Sequence, residues 1–273
     1  MTKTHHVAAG VPAYIDDSDL TGFGDLIHAV DGKALDVFVV SNGGSAEASE
    51  RIVRLLRGRF ESIRFLVPSN AYSATTLICF SGDEIVMGSL GTLGPIDPQI
   101  NGVPARAILR AFENLESRLK VEGPRALTAY MPLISKYDLH MLEICKSAQE
   151  LSEELARTWL STYMLKCAAD DPSVTKIVDF FKSYDAHKSH GRSIDRDRAR
   201  EQGLSKVVNA EATAGLADLL QSLLNQYDVW FDKTAFFKMF EDTRGTNWGR
   251  QQQTLTFQMP FPIPQAPQPP GQP

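Results

Sequence analysis

The chain has 273 residues, 43% hydrophobic and 22% charged, which suits one large folded α/β domain or such a domain with helical additions. Its net charge of −5 argues against broad electrostatic attraction to nucleic acid or to an anionic membrane. Cys79, Cys145 and Cys167 stand too far apart for a metal pair and are odd in number, so they read as apolar residues in a reducing compartment.

The first twenty residues, "MTKTHHVAAGVPAYIDDSDL", lack the continuous apolar core of a secretory leader, and no run approaches the ~20 apolar residues of a bilayer span. A cytoplasmic protein is the expectation, with His5 and His6 an exposed, solvated pair. "ALDVFVVSNGG" (34–44) predicts a buried strand and its exit loop. "SAEASERIVRLLRGRF" predicts a helix capped by Ser45, with Ala48, Ile52, Leu55 and Leu56 at helical spacing. "SIRFLVP" (62–68) is the next strand, "SATTLICFSG" a short helix and "EIVMG" (84–88) a further strand. Strand, helix, strand, helix, strand at these intervals predicts a mainly parallel sheet with crossover helices.

A more helical half follows. It starts at "NGVPARAILRAFENLESRLK" and includes a long amphipathic helix over 139–164, expected to bury Ile144, Ala148, Leu151, Leu155 and Trp159. "SVTKIVDFFKSY", "SIDRDRAREQGL" and "ATAGLADLLQSLLNQYDVWF" predict three more helices. The organisation expected is an N-terminal segment (1–33), a main domain (34–232), a C-terminal extension (233–258) and a proline-rich, extended tail (259–273).

Two loops at the carboxyl ends of neighbouring strands carry the chemistry. In "SNGGSAEAS" the paired Gly43 and Gly44 let a backbone approach a ligand and aim N–H groups at a developing oxyanion; they also suit a tight strand-to-helix turn. In "NAYSATT", Ser73 sits at a helix start among small residues. It suits a nucleophile there, with the helix dipole favouring negative charge, or an ordinary N-cap.

Taken in order, "VFVVSNGGSAEAS", "PSNAYSATTLICFSGDEIVM", "LGPIDPQ" and "HGRSIDRDRAREQGLSKVV" resemble the Clp protease/crotonase superfamily, and most of all the serine dehydrogenase proteinase family, relatives of signal peptide peptidase A. The resemblance runs from about Asp36 to Val208. It implies a spiral of ββα units with a helical C-terminal half, and a peptide or protein substrate cleaved by a serine peptidase. No metal or cofactor is expected, since the sequence carries no phosphate-binding glycine fingerprint, metal constellation or cofactor lysine motif. Homo-oligomers are expected from the same resemblance. It also implies Ser73 as nucleophile and oxyanion N–H groups from Ala74 and from Gly43 or Gly44. Many relatives of peptidase A carry glycine where this chain has Thr75, a β-branched residue expected to narrow the cleft.

The base is the open question. No histidine lies about 25 residues after Ser73, so a Clp-type Ser-His-Asp arrangement is disfavoured, and the peptidase A branch implies a Ser-Lys dyad. Lys136, 63 positions after Ser73 and 56 before Arg192, matches the order of that lysine. Lys146 falls near Glu143, Glu150 and Glu153 on a charged helix face, where an ammonium keeps its proton. His187 and His190 read as structural, and Asp97 as a turn former that can also orient a base or receive a substrate amine. A catalytically inactive assembly or binding module of the same fold is the alternative, and an acyl-CoA enzyme of the crotonase type a third reading.

Overall fold

The computed structural model describes residue 11 and residues 13–123, 126–135 and 139–252. His5, His6, Lys136 and the tail from Met259 therefore lie outside the described residues. In chain order the first half holds α1 (Asp19–Ala29), β1 (Ala34–Phe38), α2 (Ala46–Arg59), β2 (Ser62–Val67), β3 (Asn70–Ala71), α3 (Ala74–Phe80), β4 (Glu84–Met87) and β5 (Thr92–Leu93). A small hairpin, β6 (Gln99–Ile100) and β7 (Val103–Pro104), leads into α4 (Ala105–Glu122), α5 (Leu127–Ile134) and α6 (Leu139–Trp159), which ends in a π-helical turn over Leu160–Met164. Then come α7 (Pro172–Lys182), α8 (Tyr184–His187), β8 (Ile194–Asp195), α9 (Arg196–Glu201), β9 (Val207–Asn209), α10 (Leu216–Lys233), β10 (Phe236–Glu241) and β11 (Asn247–Gln251).

The main sheet has the order β1-β2-β4-β9, every neighbouring pair parallel. Parallel strands need covered faces, and the residue types supply them. Ile63, Phe65 and Val67 of β2 and Ile85 and Met87 of β4 enter the large core under α2, α3, α6 and α7. The alternate residues Leu66 and Val86 turn to the other face, against Ala210, in the short turn that precedes α10, and Leu220 of α10. Helix α2 starts as expected: Ser45 Oγ accepts the Ala48 N–H at 3.0 Å. Together these elements make a mixed α/β fold with a parallel sheet and a helical second half.

The long helix follows the expected span but not the expected stripe. Leu155 and Trp159 are buried, whereas Ile144 is 51% exposed and its neighbour Cys145 is buried instead. The reason is local: the first turns of α6 pack on α4, where Cys145 joins Ala105 and Ile108, while the later turns join the main core. Sequence periodicity cannot reveal that one helix serves two partners.

Two elements were not anticipated, α1 and the β10–β11 hairpin, and they pack on each other. Phe23 of α1 meets Phe240 of β10 with ring centroids 4.9 Å apart, and Trp248 of β11 lies over Gly22, where a Cβ would meet its ring at 2.8 Å. The N- and C-terminal parts of the described chain thus share one interface.

Candidate active site

Beyond β1 the chain continues as an extended edge alongside β3. Ser41 N–H donates to Asn70 O at 2.9 Å, and Tyr72 N–H donates to Ser41 O at 3.0 Å, a parallel bridge between Ser41 and Ala71. Two residues further on in each segment stand Gly43 and Ser73. A Cβ on Gly43 would lie 2.7 Å from Ser73 Cβ and 2.6 Å from Tyr72 O, so only glycine permits this approach. Gly43 has φ +99°, a second reason for the residue type.

Gly44 has its own constraint. Ile15 lies against it so closely that a Cβ would be 2.2 Å from Ile15 O. Ile15 N–H donates to Gly43 O and Ser45 N–H donates to Ile15 O, both at 2.8 Å. A trans peptide points its N–H opposite its C=O, so the bond from Ile15 to Gly43 O directs the Gly44 N–H away from Ile15. The Gly43 N–H donates to Ser41 Oγ at 3.1 Å. Of the two glycine N–H groups, Gly44's is thus the one left outside these contacts.

Ser73 is the most informative residue. An N-cap serine holds an extended backbone and accepts an N–H two or three residues on. Ser73 does neither: its φ is 54° and ψ −122°, and its side chain makes no cap hydrogen bond. The Thr75 N–H goes to Tyr72 O at 2.9 Å instead. Non-glycine residues occupy such a conformation at a cost of about 1–3 kcal/mol, and such residues cluster where function requires the strain. Ser73 is also partly exposed while every residue of α3 behind it is buried. The turn therefore lifts the hydroxyl out of a packed strand-to-helix junction, the geometry of a nucleophile elbow. Ala74, at the first position of α3, places its N–H at the same helix start.

Thr75 corrects an expectation. It is fully buried, so its β-branch packs inward and does not narrow the cleft. Thr76 also faces inward, donating to Ala71 O at 2.7 Å and accepting the Gly94 N–H at 3.0 Å, which ties the serine turn to the β5 exit.

Asp97 and His190 emerge from the same end of a three-stranded sheet of order β3-β5-β8. β3 and β5 are parallel, so the chain leaves both at one edge, toward Ser73 and toward Asp97. β8 is antiparallel to β5, so the residues before it, His190 among them, start at that edge too. His190 Nδ1 lies 2.9 Å from Asp97 Oδ1, and Asp97 is 1% exposed, so it is more than a turn former. Its Oδ2 is buried without a partner among the described residues. His187 is different: it is buried, its Nε2 meets Phe180 O at 2.8 Å and its ring packs edge-on against Phe180. Burial, opposed by the Phe180 hydrogen bond, holds its pKa below the ordinary histidine value, as befits a neutral core residue.

Lys146 is exposed and lies 3.9 Å from Glu150, as its helix face suggested. Among the described residues no group of three or more His, Cys, Asp or Glu could hold a metal ion, and no helix is long and apolar enough to cross a membrane. A cavity of about 540 Å³ lies between α4 and α5 and is lined by Phe112, Leu115, Arg118, Tyr130 and Ile134. None of the residues around Ser73 contributes to it.

The candidate site is thus a glycine edge of a parallel sheet abutting a strained serine at a helix start. Residues 10–129, which include both loops, match the model of the ClpP-like SDH-type serine proteinase family, less than half of the chain. Two relatives are described as uncharacterized proteins of Methanocaldococcus jannaschii. One is 28% identical over 171 residues, 57% of this chain and 57% of its own. The other is 32% identical over 112 residues, 38% of this chain and 37% of its own. The chain thus spans about half, or less, of the length of these relatives. Among solved structures, two mutants of a 1510-N membrane-bound stomatin-specific protease align, one of them in complex with a substrate peptide. They are 17% and 18% identical with TM-scores of 0.42 and 0.41, covering 71% of this chain and 74% and 70% of theirs.

Proposed function

We propose that the protein is a serine peptidase in which Ser73 attacks the carbonyl of a peptide bond. The observation that carries this reading is the strained, uncapped conformation of Ser73 against Gly43. Ala74 N–H supplies one oxyanion donor. Gly44 supplies the other in preference to Gly43, because the Gly43 N–H is taken by Ser41 Oγ. The family match over residues 10–129 supports the same chemistry.

For the base, the resemblance favours Lys136, a neutral amine shuttling the proton from Ser73 to the leaving amine. One observation favours a second reading. His190, oriented by the buried Asp97 at the same sheet edge, has the carboxylate–imidazole pairing of a general base. In either case the substrate is a peptide or protein, no cofactor is required, and the working protein is a homo-oligomer in the reducing cytoplasm. Sedimentation of the purified chain tests the oligomer.

The test of function is hydrolysis of a fluorogenic peptide library by the wild-type chain and by Ser73→Ala. Turnover that disappears in Ser73→Ala supports the peptidase. A library left intact by the wild type, or cut equally by both, returns the chain to the reading of an inactive assembly or binding module of the same fold.

A further inference from the structure

We propose that Lys238, in the C-terminal hairpin, is a positioning residue for the Gly43–Gly44 turn, acting through Asp19, Asp16 and Ile15. The proposal rests on the reading of that turn as the oxyanion support of Ser73. Lys238 lies on β10 with its side chain fully buried. Its Nζ stands 2.8 and 2.9 Å from the two oxygens of Asp19, itself 1% exposed, and 3.3 Å from Asp16 Oδ2. Asp19 Oδ2 also accepts the Asp16 N–H at 3.0 Å, and Asp16 Oδ1 accepts the Ser18 N–H at 2.8 Å. The turn from Asp16 to Asp19 is therefore folded around the Lys238 ammonium.

The residue before this turn is Ile15. Its N–H and C=O grip Gly43 O and Ser45 N–H, and on the far side of the same edge Gly43 abuts Ser73. A continuous chain of contacts runs from the hairpin to the candidate nucleophile. The hairpin does not need Lys238 merely to stay attached. Phe240 against Phe23, and Trp248 over Gly22, dock it on α1 through apolar contact. What the ammonium adds is a fixed Asp19 carboxylate, and through it a fixed Asp16 N–H beside Ile15. Without Lys238 the side chain at position 19 loses both hydrogen bonds that hold it: a carboxylate there is buried and uncompensated and turns toward water, an amide there is left unanchored, and either way Asp16 is released.

The experiment compares wild type with Lys238→Met and with the double variant Asp19→Asn/Lys238→Met, which removes both charges and leaves no unpaired carboxylate in the core. Amide hydrogen exchange and peptide hydrolysis are measured on the full chain. Exchange at Ile15 and Ser45 is expected to accelerate about tenfold or more in both variants, with β2 unchanged. kcat is expected to fall about tenfold or more while KM stays within about twofold, the pattern of a misplaced donor and not of a lost binding contact. Wild-type exchange at Ile15 and Ser45 in a folded variant overturns the contact path. Faster exchange with an unchanged kcat overturns the positioning role. A wild-type chain with no Ser73-dependent hydrolysis overturns the functional reading beneath the proposal, while the exchange comparison still decides the contact path by itself.

Discussion

Replacing Gly43 with alanine tests whether the glycine edge and Ser73 form one unit. The new Cβ would stand 2.7 Å from Ser73 Cβ, 2.6 Å from Tyr72 O and 3.1 Å from Ala74 N. Carbon atoms pack comfortably at about 3.5–4.0 Å, so the edge and the serine turn must separate by about 1 Å. The positive φ of +99° adds about 1–2 kcal/mol for an L-residue, and overpacking of this kind about 1–3 kcal/mol. The total, about 2–5 kcal/mol, is a large part of the ~5–15 kcal/mol that holds a domain folded. A 1 Å displacement at a reacting centre costs roughly 100-fold in rate. The assay is twofold: the denaturant midpoint, and the rate at which a fluorophosphonate labels Ser73. Gly58→Ala is the control, since Gly58 lies in α2 with nothing within 4 Å of its Cβ, and alanine there should stabilise by about 0.5–1 kcal/mol. Gly43→Ala with a wild-type midpoint and a wild-type labelling rate refutes the reasoning.

Further expectations follow from other parts of the molecule. Arg57, on α2, pairs with Asp83 at 2.9 Å, donates to Ser81 O and stacks over Tyr163 at 4.3 Å. Arg57→Ala should cost about 2–4 kcal/mol in chemical denaturation, below the full value for a buried pair because Asp83 is one-fifth exposed. Burial pushes the Asp83 carboxyl up, but the Ile63 N–H, Lys166 and Arg57 outweigh it and hold its pKa below 3.8. The stability this group contributes is therefore complete above about pH 4 and is lost as pH falls through the lower folded value. Acid unfolding of Arg57→Ala should accordingly begin at higher pH than in wild type. Phe80 is fully buried and meets Phe181 edge-on at 5.1 Å; Phe80→Ala should lose about 3–5 kcal/mol, measured by the same denaturant titration. Among the bases, Lys136→Ala should abolish turnover and Lys146→Ala should leave it unchanged, whereas turnover that survives Lys136→Ala but not His190→Ala moves the role to the Asp97-linked histidine.

Much of this was legible in the sequence because it is local. The strand–helix alternation before Gly88, the Ser45 cap and the two loops that meet at Ser73 depend on runs of neighbouring residues, which patterning reports directly. Ser73 itself was ambiguous, since a serine before a helix has the same letters whether it caps or strains. Only its dihedrals separate the two. Contacts between distant segments were not legible. "FFKMFE" carries a lysine in mid-strand, and nothing nearby shows that Asp19, 219 positions away, neutralises it. Asp97 between two prolines resembled a turn, and its pairing with His190 depends on the antiparallel register of β5 and β8. The Cys145 face of α6 was missed for the same reason, since α4 determines which side of its early turns is buried.

The central claim is that Ser73 is an activated nucleophile, and a covalent adduct tests it most directly. The purified wild-type chain is treated with a fluorophosphonate and mapped by peptide mass spectrometry, alongside Ser73→Ala. One adduct on the peptide containing Ser73, absent from the variant, is the predicted result. Equal labelling of both proteins, or a folded wild-type chain that takes up no probe, contradicts it.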